Sequence, residues 1–278
     1  MAQKSVAAIH DISGFGRCSL TVALPLLSAA GIQTSVIPTA VLSTCTGEFK
    51  GNTFHDLTRD IEPIAEHWKR EGLQFDAIYT GYMCNASQVY SVMSALGYIK
   101  SNNTFLLVDP VMGDNGKLYS GFSVSFTGYM LRLCQKADII TPNITEAALL
   151  AGMPYMDGAC SEEYVQKLVT TLYERTRAKI VLTGVSFEKK KIGVAIFDGN
   201  EITYFFTEKQ PASFHSTGDV FASVLTAALL SGRSLKAAAQ VAVNFTAGCI
   251  KQTIEDKANP KFGVNFEQQI PNLIKYLQ

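Results

Sequence analysis

The chain has 278 residues, of which 47% are hydrophobic, and its 24 basic and 24 acidic side chains give a formal net charge of zero. A chain of this length buries about three-quarters of its unfolded surface, enough for a large core. No basic stretch suggests a nucleic-acid surface, and the apolar runs end well short of the ~20 residues that cross a bilayer. The first apolar run turns polar at His10 and Asp11, unlike a signal peptide. We therefore expect a cytoplasmic protein that binds neither nucleic acid nor membrane.

Apolar runs alternate with amphipathic segments over most of the chain. Strands are predicted at Val6–His10, Thr34–Pro38, Ala77–Thr80, Phe105–Asp109, Ile139–Thr141 and Ile180–Thr183. Helices are predicted between them at Leu20–Ala30, Leu57–Arg70, Ser87–Lys100, Phe122–Lys136, Thr145–Ala151 and Glu162–Thr176. Alternation of this length indicates a mostly parallel sheet with helices on both faces.

The pattern changes after the sixth strand. Ile192–Phe197 and Ile202–Phe206, joined by a turn that contains Gly199, predict an antiparallel hairpin. The polar run from Thr207 to His215 has no core face, so we expect a loop that covers the site. Further helices are predicted at 217–231, 235–250 and 267–277. Because no linker, repeat or low-complexity segment interrupts the pattern, we interpret residues 1–278 as one domain.

Polar residues follow most of the predicted strands. They are Asp11 and Ser13 after the first strand, Tyr82 after the third, Asp109 and Asp114 after the fourth, Asn143 after the fifth and Gly184 after the sixth. In open α/β sheets, ligands bind at the carboxyl ends of the strands. We expect these residues to gather at one edge of the sheet and form a site.

The most informative segment is Ser216-Thr217-Gly218-Asp219, which precedes an apolar helical run. The first turn of a helix presents unpaired N–H groups, and these favour an anion. If that anion is the phosphate tail of a nucleotide, Asp219 is placed to take a proton from an attacking alcohol. The alternative is that Ser216 or Thr217 only caps the helix. The helix N-terminus also predicts that Asp219 is a weak base, because it favours the charged carboxylate.

A second group of polar residues consists of Asp109, Asp114, Asn143 and Glu146. The spacing of Asn143 and Glu146 places both side chains on one face of a starting helix. Carboxylate oxygens suit Mg²⁺, whose shell is usually completed by water and substrate phosphates. The alternative is a capping box, in which Asn143 and Glu146 satisfy each other's backbone N–H groups.

Several common site motifs are missing from the sequence. There is no G-x-x-x-x-G-K-[ST] phosphate loop, Gly14-Phe15-Gly16 lacks the third glycine of a dinucleotide fingerprint, and no G-x-S-x-G elbow occurs. The six cysteines form no C-x-x-C pair, and neither they nor the histidines are spaced as zinc ligands. We expect reduced, mostly buried thiols.

Four segments together resemble the ribokinase-type carbohydrate and vitamin kinases, and within that group the pyridoxal kinases. They are DISGFG from Asp11, DPVMGD from Asp109, NITE from Asn143 and TGDVFAS from Thr217. The resemblance extends from His10 to about Cys249. It implies a ribokinase-like three-layer α/β/α sandwich with about nine central strands, a donor of ATP with Mg²⁺, and a homodimer.

The resemblance also implies roles for individual residues. Asp219 is the base that accepts the proton of the substrate hydroxymethyl group, and the N–H groups from Ser216 through Thr217 and Gly218 to Asp219 form an anion hole. The resemblance implies that Ser13, Thr46 and Tyr82 contact the B6 vitamer, and that Asp109, Asn143, Thr183 and Gly184 contact ATP. It further implies that Asp114 and Glu146 are Mg²⁺ ligands. Finally, it implies a K⁺ or Na⁺ site lined by Thr141 and Thr183.

Two residues depart from the pattern of this family. Ser216 stands where the anion hole usually begins with glycine, and a positive φ there would cost roughly a kilocalorie per mole or more. Cys45 stands where animal pyridoxal kinases tend to have histidine. Its thiol either forms a reversible adduct with an aldehyde or acts as a neutral filler.

The resemblance implies phosphorylation of the 5′-hydroxymethyl group of pyridoxal, and also of pyridoxine and pyridoxamine. Two alternatives stay open. A hydroxymethylpyrimidine kinase of thiamine biosynthesis often carries cysteine at the position of Asp219. A non-catalytic B6-binding protein would not need the acidic residues or Asp219.

Overall fold

The computed structural model describes residues 3–46, 49–212 and 214–278. Its strands are β1 (Ser5–Ser13), β2 (Gln33–Leu42), β3 (Phe54–Asp56), β4 (Ala77–Thr80), β5 (Phe105–Val108), β6 (Gly113–Asp114), β7 (Lys117–Leu118), β8 (Ile139–Ile140), β9 (Lys179–Val185), β10 (Lys191–Phe197) and β11 (Ile202–Glu208). Its helices are α1 (Leu20–Ala29), α2 (Thr58–Arg70), α3 (Ala86–Ile99), α4 (Val124–Cys134), α5 (Ile144–Ala151), α6 (Glu162–Thr176), α7 (Thr217–Leu230), α8 (Leu235–Glu255) and α9 (Ile270–Leu277).

Within the described residues, nine strands form one sheet in the order β11-β10-β9-β8-β5-β4-β1-β2-β3. Neighbouring strands from β9 to β2 pair in parallel, whereas β10, β11 and β3 pair antiparallel. The predicted mostly parallel sheet and the hairpin of β10 and β11 are therefore confirmed. A separate small hairpin is formed by β6 and β7.

Alternation of buried side chains along the strands produces a core on each face of the sheet. In β1, Ala7 and Ile9 belong to the core beneath α2 to α6, while Val6 belongs to the core beneath α1, α7, α8 and α9. Central strands buried on both faces read as continuous apolar runs, which explains why they were recognisable in the sequence. The predicted three-layer arrangement is confirmed.

Several predicted bounds are wrong, and the short strands β3, β6 and β7 were not predicted. β2 continues to Leu42 and pairs with the unpredicted β3. The segment expected as a loop begins inside β11, which ends at Glu208, because Thr207 pairs with Ile192. Ser213, another residue of that expected loop, lies outside the described residues. Short strands such as β3 have too few residues for a period-two pattern to be visible.

The carboxyl ends of the parallel strands meet at one edge of the sheet. Main-chain hydrogen bonds extend the pairing past the strand ends, from Gly81 N to Ile9 O at 3.1 Å, from Asp109 N to Thr80 O at 2.9 Å and from Thr141 N to Val108 O at 3.1 Å. The polar residues that follow each strand are thereby brought together.

All six cysteines lie in the described part of the chain, and none forms a disulfide. Four of them are buried, as expected. In the described ranges, no helix combines the length and apolarity that crossing a membrane requires.

We predict that Gly193→Ala destabilises the protein by at least about 1–3 kcal/mol, the usual cost of overpacking. A methyl group at Gly193 would lie 1.8 Å from the Phe205 carbonyl oxygen on β11, so the hairpin would have to shift. Gly97→Ala is the matched control. It adds a methyl group at an exposed position of α3 with no packing neighbour within 4 Å, so we expect the free energy of unfolding to rise by about 0.5–1 kcal/mol. Denaturant unfolding measures both; equal effects would contradict the packing argument.

Candidate active site

The turn predicted to bind an anion, residues Ser216 to Asp219, begins at the N-cap residue of α7. We call it the anion-binding turn. The backbone of Ser216 is left-handed, with φ 64° and ψ 15°, and its side chain makes no capping hydrogen bond to the helix. Side-chain capping, the simpler alternative for Ser216, is therefore absent. The strain expected for serine at a glycine position is present, at about 1–2 kcal/mol. The N–H groups of Thr217, Gly218 and Asp219 belong to the first turn, where no intrahelical acceptor exists.

Asp219 lies in this first turn, partly buried between two strand-end loops. Its Oδ2 accepts a hydrogen bond of 3.0 Å from the main-chain N–H of Ser19, the residue that precedes α1. Burial raises the pKa of Asp219 to about 6; the Ser19 donor opposes that rise and the charge of Asp11 adds to it. The prediction of a weak base is wrong, because desolvation outweighs the helix N-terminus.

His10 is the one histidine inside the sheet near this edge. Burial lowers its pKa to about 3, so the ring is neutral. The ring packs edge-on against Tyr79, with centroids 4.3 Å apart, and a methyl group at Gly81 would lie 2.3 Å from its Nδ1. His10 therefore fills space against Tyr79 and Gly81, and its low pKa makes it a poor candidate for the base.

The residues predicted to contact the B6 vitamer lie near Asp11, whose charge acts on Asp219. Ser13 ends β1, and its Oγ donates to Asp11 Oδ2 at 3.3 Å. Burial raises the pKa of Tyr82 to about 12, while the adjacent Thr46 hydroxyl opposes the rise. Burial also raises the pKa of Asp11. The structure thus brings Ser13, Thr46 and Tyr82 together around Asp11.

Asn143 and Glu146 form the capping box of α5. Asn143 Oδ1 accepts from Glu146 N at 2.9 Å, and Glu146 Oε2 accepts from Asn143 N at 2.9 Å. Glu146 Oε1 accepts from Met112 N at 3.1 Å, and Asn143 Nδ2 donates to Gly113 O at 2.9 Å. Burial raises the pKa of Glu146, against the stabilising effect of these N–H donors. The capping alternative is therefore realised, and it also ties α5 to the 109–114 loop.

Of the predicted ATP-binding residues, Asp109 lies close enough to Asp219 for the two charges to interact. Burial raises the pKa of Asp109 well above its usual range, and the charges of Glu146 and Asp219 add to the rise. Gly218 approaches the same carboxylate, since a methyl group built there would lie 3.9 Å from Asp109 Oδ2. Asn143 pairs with Thr183 in an isolated parallel bridge. Gly184 follows with φ 75° and is exposed.

The donor set fits a divalent cation that is held only partly by protein. Glu146 raises the pKa of Asp109, and Asp114 raises that of Glu146, so a nearby cation would stabilise all three charged forms. Asp114 is exposed, and its oxygens accept from Asn115. Among the described residues, no three His, Cys, Asp or Glu side chains converge as a metal site. Phosphate and water oxygens would have to complete the shell, as is usual for Mg²⁺.

The monovalent-cation role predicted for two threonines rests on their positions. Thr141 directly follows β8 and is buried beside Asp109. Thr183 belongs to β9, and its N–H donates to Pro142 O at 2.9 Å. The two residues therefore lie on neighbouring strands at the edge that holds the site.

Sequence reasoning missed three residues of this site, whereas a fourth, Asp11, was expected there only as a strand-end residue. Ser19 donates to Asp219, and Asp11 lies between Asp219 and Tyr82. Tyr119 faces the acidic group, because burial and the charges of Glu146 and Asp114 raise the pKa of its hydroxyl. The Cys18 thiol contacts Cys45, and this contact and burial raise its pKa. Asp11 stood at a predicted strand end, but Ser19, Tyr119 and Cys18 had no pattern to mark them.

A family model described as phosphomethylpyrimidine kinase matches residues 28–262 of the chain. The match covers most of the sheet and both sides of the candidate site, including the turn at Ser216.

Two solved structures and one curated relative illustrate the similarity. A candidate phosphomethylpyrimidine kinase from Bacteroides thetaiotaomicron, solved with pyridoxal, is 36% identical, has a TM-score of 0.92, and the match covers 98% of this chain and 96% of that one. Pyridoxal kinase from Lactobacillus plantarum is 29% identical, with a TM-score of 0.91 and coverage of 99% and 98%. Pyridoxal kinase from Arabidopsis thaliana is 28% identical over 272 residues, which is 89% of this chain and 81% of the relative.

We predict that Asp219→Asn changes the pH dependence of stability. The pKa of Asp219 is about 6 in the folded protein and near 3.9 in an unfolded chain, so the native state binds this proton more tightly. Wild-type stability relative to the variant must then fall as pH rises from 4 to 7, by at most about 3 kcal/mol. Urea unfolding at several pH values measures the difference. A difference that is constant with pH would contradict the raised pKa.

Proposed function

The chain belongs to the phosphomethylpyrimidine kinase family, and on that premise we propose that it is a pyridoxal kinase. It transfers the terminal phosphoryl group of ATP to the 5′-hydroxymethyl oxygen of pyridoxal, and also of pyridoxine and pyridoxamine. The observation that carries the proposal is the position of Asp219. It lies in the first turn of α7, close enough to Asp11 and to Asp109 for its charge to interact with both.

Asp219 is the proposed base. The vitamin oxygen forms a bond to the terminal phosphorus while the bond to the departing ADP oxygen breaks, and the hydroxyl proton passes to the Asp219 carboxylate. A pKa of about 6 keeps this carboxylate mostly ionised at neutral pH and makes it a stronger base than an exposed aspartate. Ser19 holds Oδ2, so the carboxylate has a defined orientation toward the substrate.

The anion hole is the second proposed element. Phosphoryl transfer proceeds through a loose transition state, in which positioning and charge stabilisation supply most of the catalysis. The N–H groups of Thr217, Gly218 and Asp219 suit the equatorial oxygens of the transferred group. The left-handed backbone of Ser216 directs the chain into this turn. We assign no role to the side chain of Ser216.

The ATP phosphates are proposed to lie beside Asp109 and Asn143, with Thr183 and Gly184 further along the same edge. Asp114 and Glu146 would hold Mg²⁺, and the Glu146 oxygens are oriented by the main-chain N–H groups that donate to them. The ion supplies charge neutralisation on the phosphates, which could not otherwise approach this acidic edge. K⁺ or Na⁺ beside Thr141 and Thr183, a homodimer and a cytoplasmic location stay predictions.

The vitamin ring is proposed to contact Ser13, Thr46 and Tyr82. Tyr82 offers an aromatic face, and its hydroxyl lies beside that of Thr46. The similarity to a structure solved with pyridoxal supports a pyridine ring in this position. The description of the matched family favours hydroxymethylpyrimidine as the second candidate substrate, since both molecules are heteroaromatic rings with a hydroxymethyl group.

Initial rates of ADP formation test the proposal with pyridoxal, pyridoxine, pyridoxamine and hydroxymethylpyrimidine. We expect the highest kcat/KM with a B6 vitamer. A clear preference for hydroxymethylpyrimidine would move the assignment to the thiamine pathway. Binding of pyridoxal without turnover in the presence of ATP and Mg²⁺ would indicate a non-catalytic binding protein.

We predict that Asp219→Ala lowers kcat at least ~10²-fold, the usual contribution of a general base, with smaller changes in the KM values for ATP and pyridoxal. The matched control is Asp198→Ala, which removes a partly exposed aspartate from the turn between β10 and β11. Steady-state kinetics of both variants decide the matter. More than about half of wild-type turnover in Asp219→Ala, far above that expected loss, would remove Asp219 from the mechanism.

We predict that Glu146→Gln raises the Mg²⁺ concentration needed for half-maximal activity, because a carboxylate next to the ion is lost. The same change places an amide NH₂ against one of the two N–H donors and costs about 1–3 kcal/mol of stability. Titration of activity with Mg²⁺ and a melting curve separate these effects. A lower melting temperature with an unchanged Mg²⁺ requirement would leave Glu146 with the capping role alone.

A further inference from the structure

We propose that the C-terminal turn, residues 259–267, positions Asp219 through the loop of residues 14–19, which we call the α1 loop. This inference rests on the proposed role of Asp219 as the base. The turn lies about 40 residues after Asp219 in the sequence, and none of its residues is among the site residues described above. It contacts the α1 loop at Arg17, and the α1 loop contacts Asp219 at Ser19.

Ser19 has an unusual backbone conformation. Its φ of 51° with ψ of −125° lies in a region that residues with a side chain rarely adopt. The residue is buried, and its N–H donates to Asp219 Oδ2 at 3.0 Å. Such strain persists only where surrounding contacts over-determine the conformation. The contacts that hold the α1 loop are therefore the ones that keep this donor on Asp219.

One set of contacts ties the α1 loop to the first turn of α1. Thr21 Oγ1 accepts from Cys18 N at 3.1 Å, and its single proton is shared between Cys18 O at 2.7 Å and Gly16 O at 3.1 Å. These bonds fix the residues on either side of Arg17. They do not hold Arg17 itself, which lies between the Gly14 N–Leu42 O bond at the start of the loop and the Ser19 donor at its end.

The C-terminal turn supplies the anchor for Arg17. Arg17 N donates to Phe262 O at 3.0 Å, and Arg17 Nε donates to Glu267 Oε1 at 2.6 Å. Gly263 has φ 80°, and a methyl group there would lie 2.5 Å from Arg17 O, so only glycine allows this approach. The Phe262 ring packs edge-on against Phe15, with centroids 5.1 Å apart.

The turn is itself fixed to α8 and can therefore act as a rigid support. Asn265 N donates to Thr253 Oγ1 at 2.8 Å, and Asn265 Nδ2 donates to Asp256 Oδ2 at 2.7 Å. A continuous series of direct contacts thus leads from α8 through Gly263 and Arg17 to the Ser19 donor. Displacement of the turn by about 1 Å would move the donor and misalign the carboxylate, and misplacement of that size can cost about 10²-fold in rate.

Gly263→Ala tests the proposal, because the added methyl group must push Arg17 away. The matched control is Gly232→Ala, which also has a positive φ, of 89°, but has nothing within 4 Å of the added methyl group. Both positions have a positive φ, but only the methyl group of Gly263→Ala meets a backbone atom, so its melting temperature should fall further than that of Gly232→Ala. We expect kcat for pyridoxal to fall about 10- to 100-fold in Gly263→Ala only, with KM for ATP within twofold of wild type.

Glu267→Gln is the second variant and keeps the proposal testable if Gly263→Ala does not fold. Glu267 is half exposed, so its ion pair contributes little to stability, and the melting temperature should hardly change. We expect kcat to fall about two- to fivefold, roughly the effect of a partly released loop. Its control is Glu66→Gln, which removes the comparable Arg70–Glu66 pair from the surface of α2 and should leave kcat unchanged.

The outcomes separate this inference from the proposed function. Turnover in Gly263→Ala and Glu267→Gln equal to that of their controls would overturn the inference, while an inactive Asp219→Ala would still support Asp219 as the base. High turnover in Asp219→Ala would overturn both. A fall in kcat confined to Gly263→Ala and Glu267→Gln, measured well below the melting temperatures of all four variants, is the result expected for a positioning element.

Discussion

The burial of carboxylates, to which repulsion among them adds, is the constraint on which this site depends. Asp11, Asp109, Glu146 and Asp219 gather at one edge of the sheet, and burial raises the pKa of each. None of the ion pairs found within the described ranges includes any of the four. Their charge is stabilised instead by main-chain N–H groups and neighbouring hydroxyls. A phosphate tail can approach such an edge only with a cation, which is why a nucleotide with Mg²⁺ suits it.

Strained backbone surrounds the carboxylate that we assign as the base. Ser216 and Ser19 both have positive φ, and they flank Asp219 from different parts of the chain. The first directs the anion-binding turn, and the second donates to the carboxylate. Strain of this kind clusters at functional sites because the surrounding structure maintains a geometry that the local chain would not choose. Glycine would adopt either conformation at lower cost, so serine at both positions means that the surrounding structure supplies the energy that the strain requires.

The sequence was sufficient for the sheet and most of the helices. Central strands such as β4 and β5 are short apolar runs bounded by polar residues, and those patterns follow directly from burial on both faces. The polar strand ends could also be predicted, because parallel strands end at one edge. The hairpin β6–β7 and the strand β3 were not visible, since two or three residues carry no periodicity.

The sequence predicted a low pKa for Asp219 from its place at a helix N-terminus, whereas burial raises that pKa. The helix N-terminus was recognisable in the sequence, but the depth of the side chain was not, and burial proved the larger influence on the pKa. The Ser19 donor was equally invisible, because it comes from a residue 200 positions away. Contacts of that kind are set by how the β1 end and α7 pack together, and no local pattern records them.

Direct titration of the Asp219 carboxyl group tests the central claim. Protein labelled with ¹³C at the aspartate carboxyl carbons, studied by NMR without ligands, should contain one resonance that titrates near pH 6 and is missing from Asp219→Asn. That result would support a buried carboxylate poised to accept a proton near neutral pH. A resonance for Asp219 that titrates near pH 4, as an exposed aspartate does, would contradict the account.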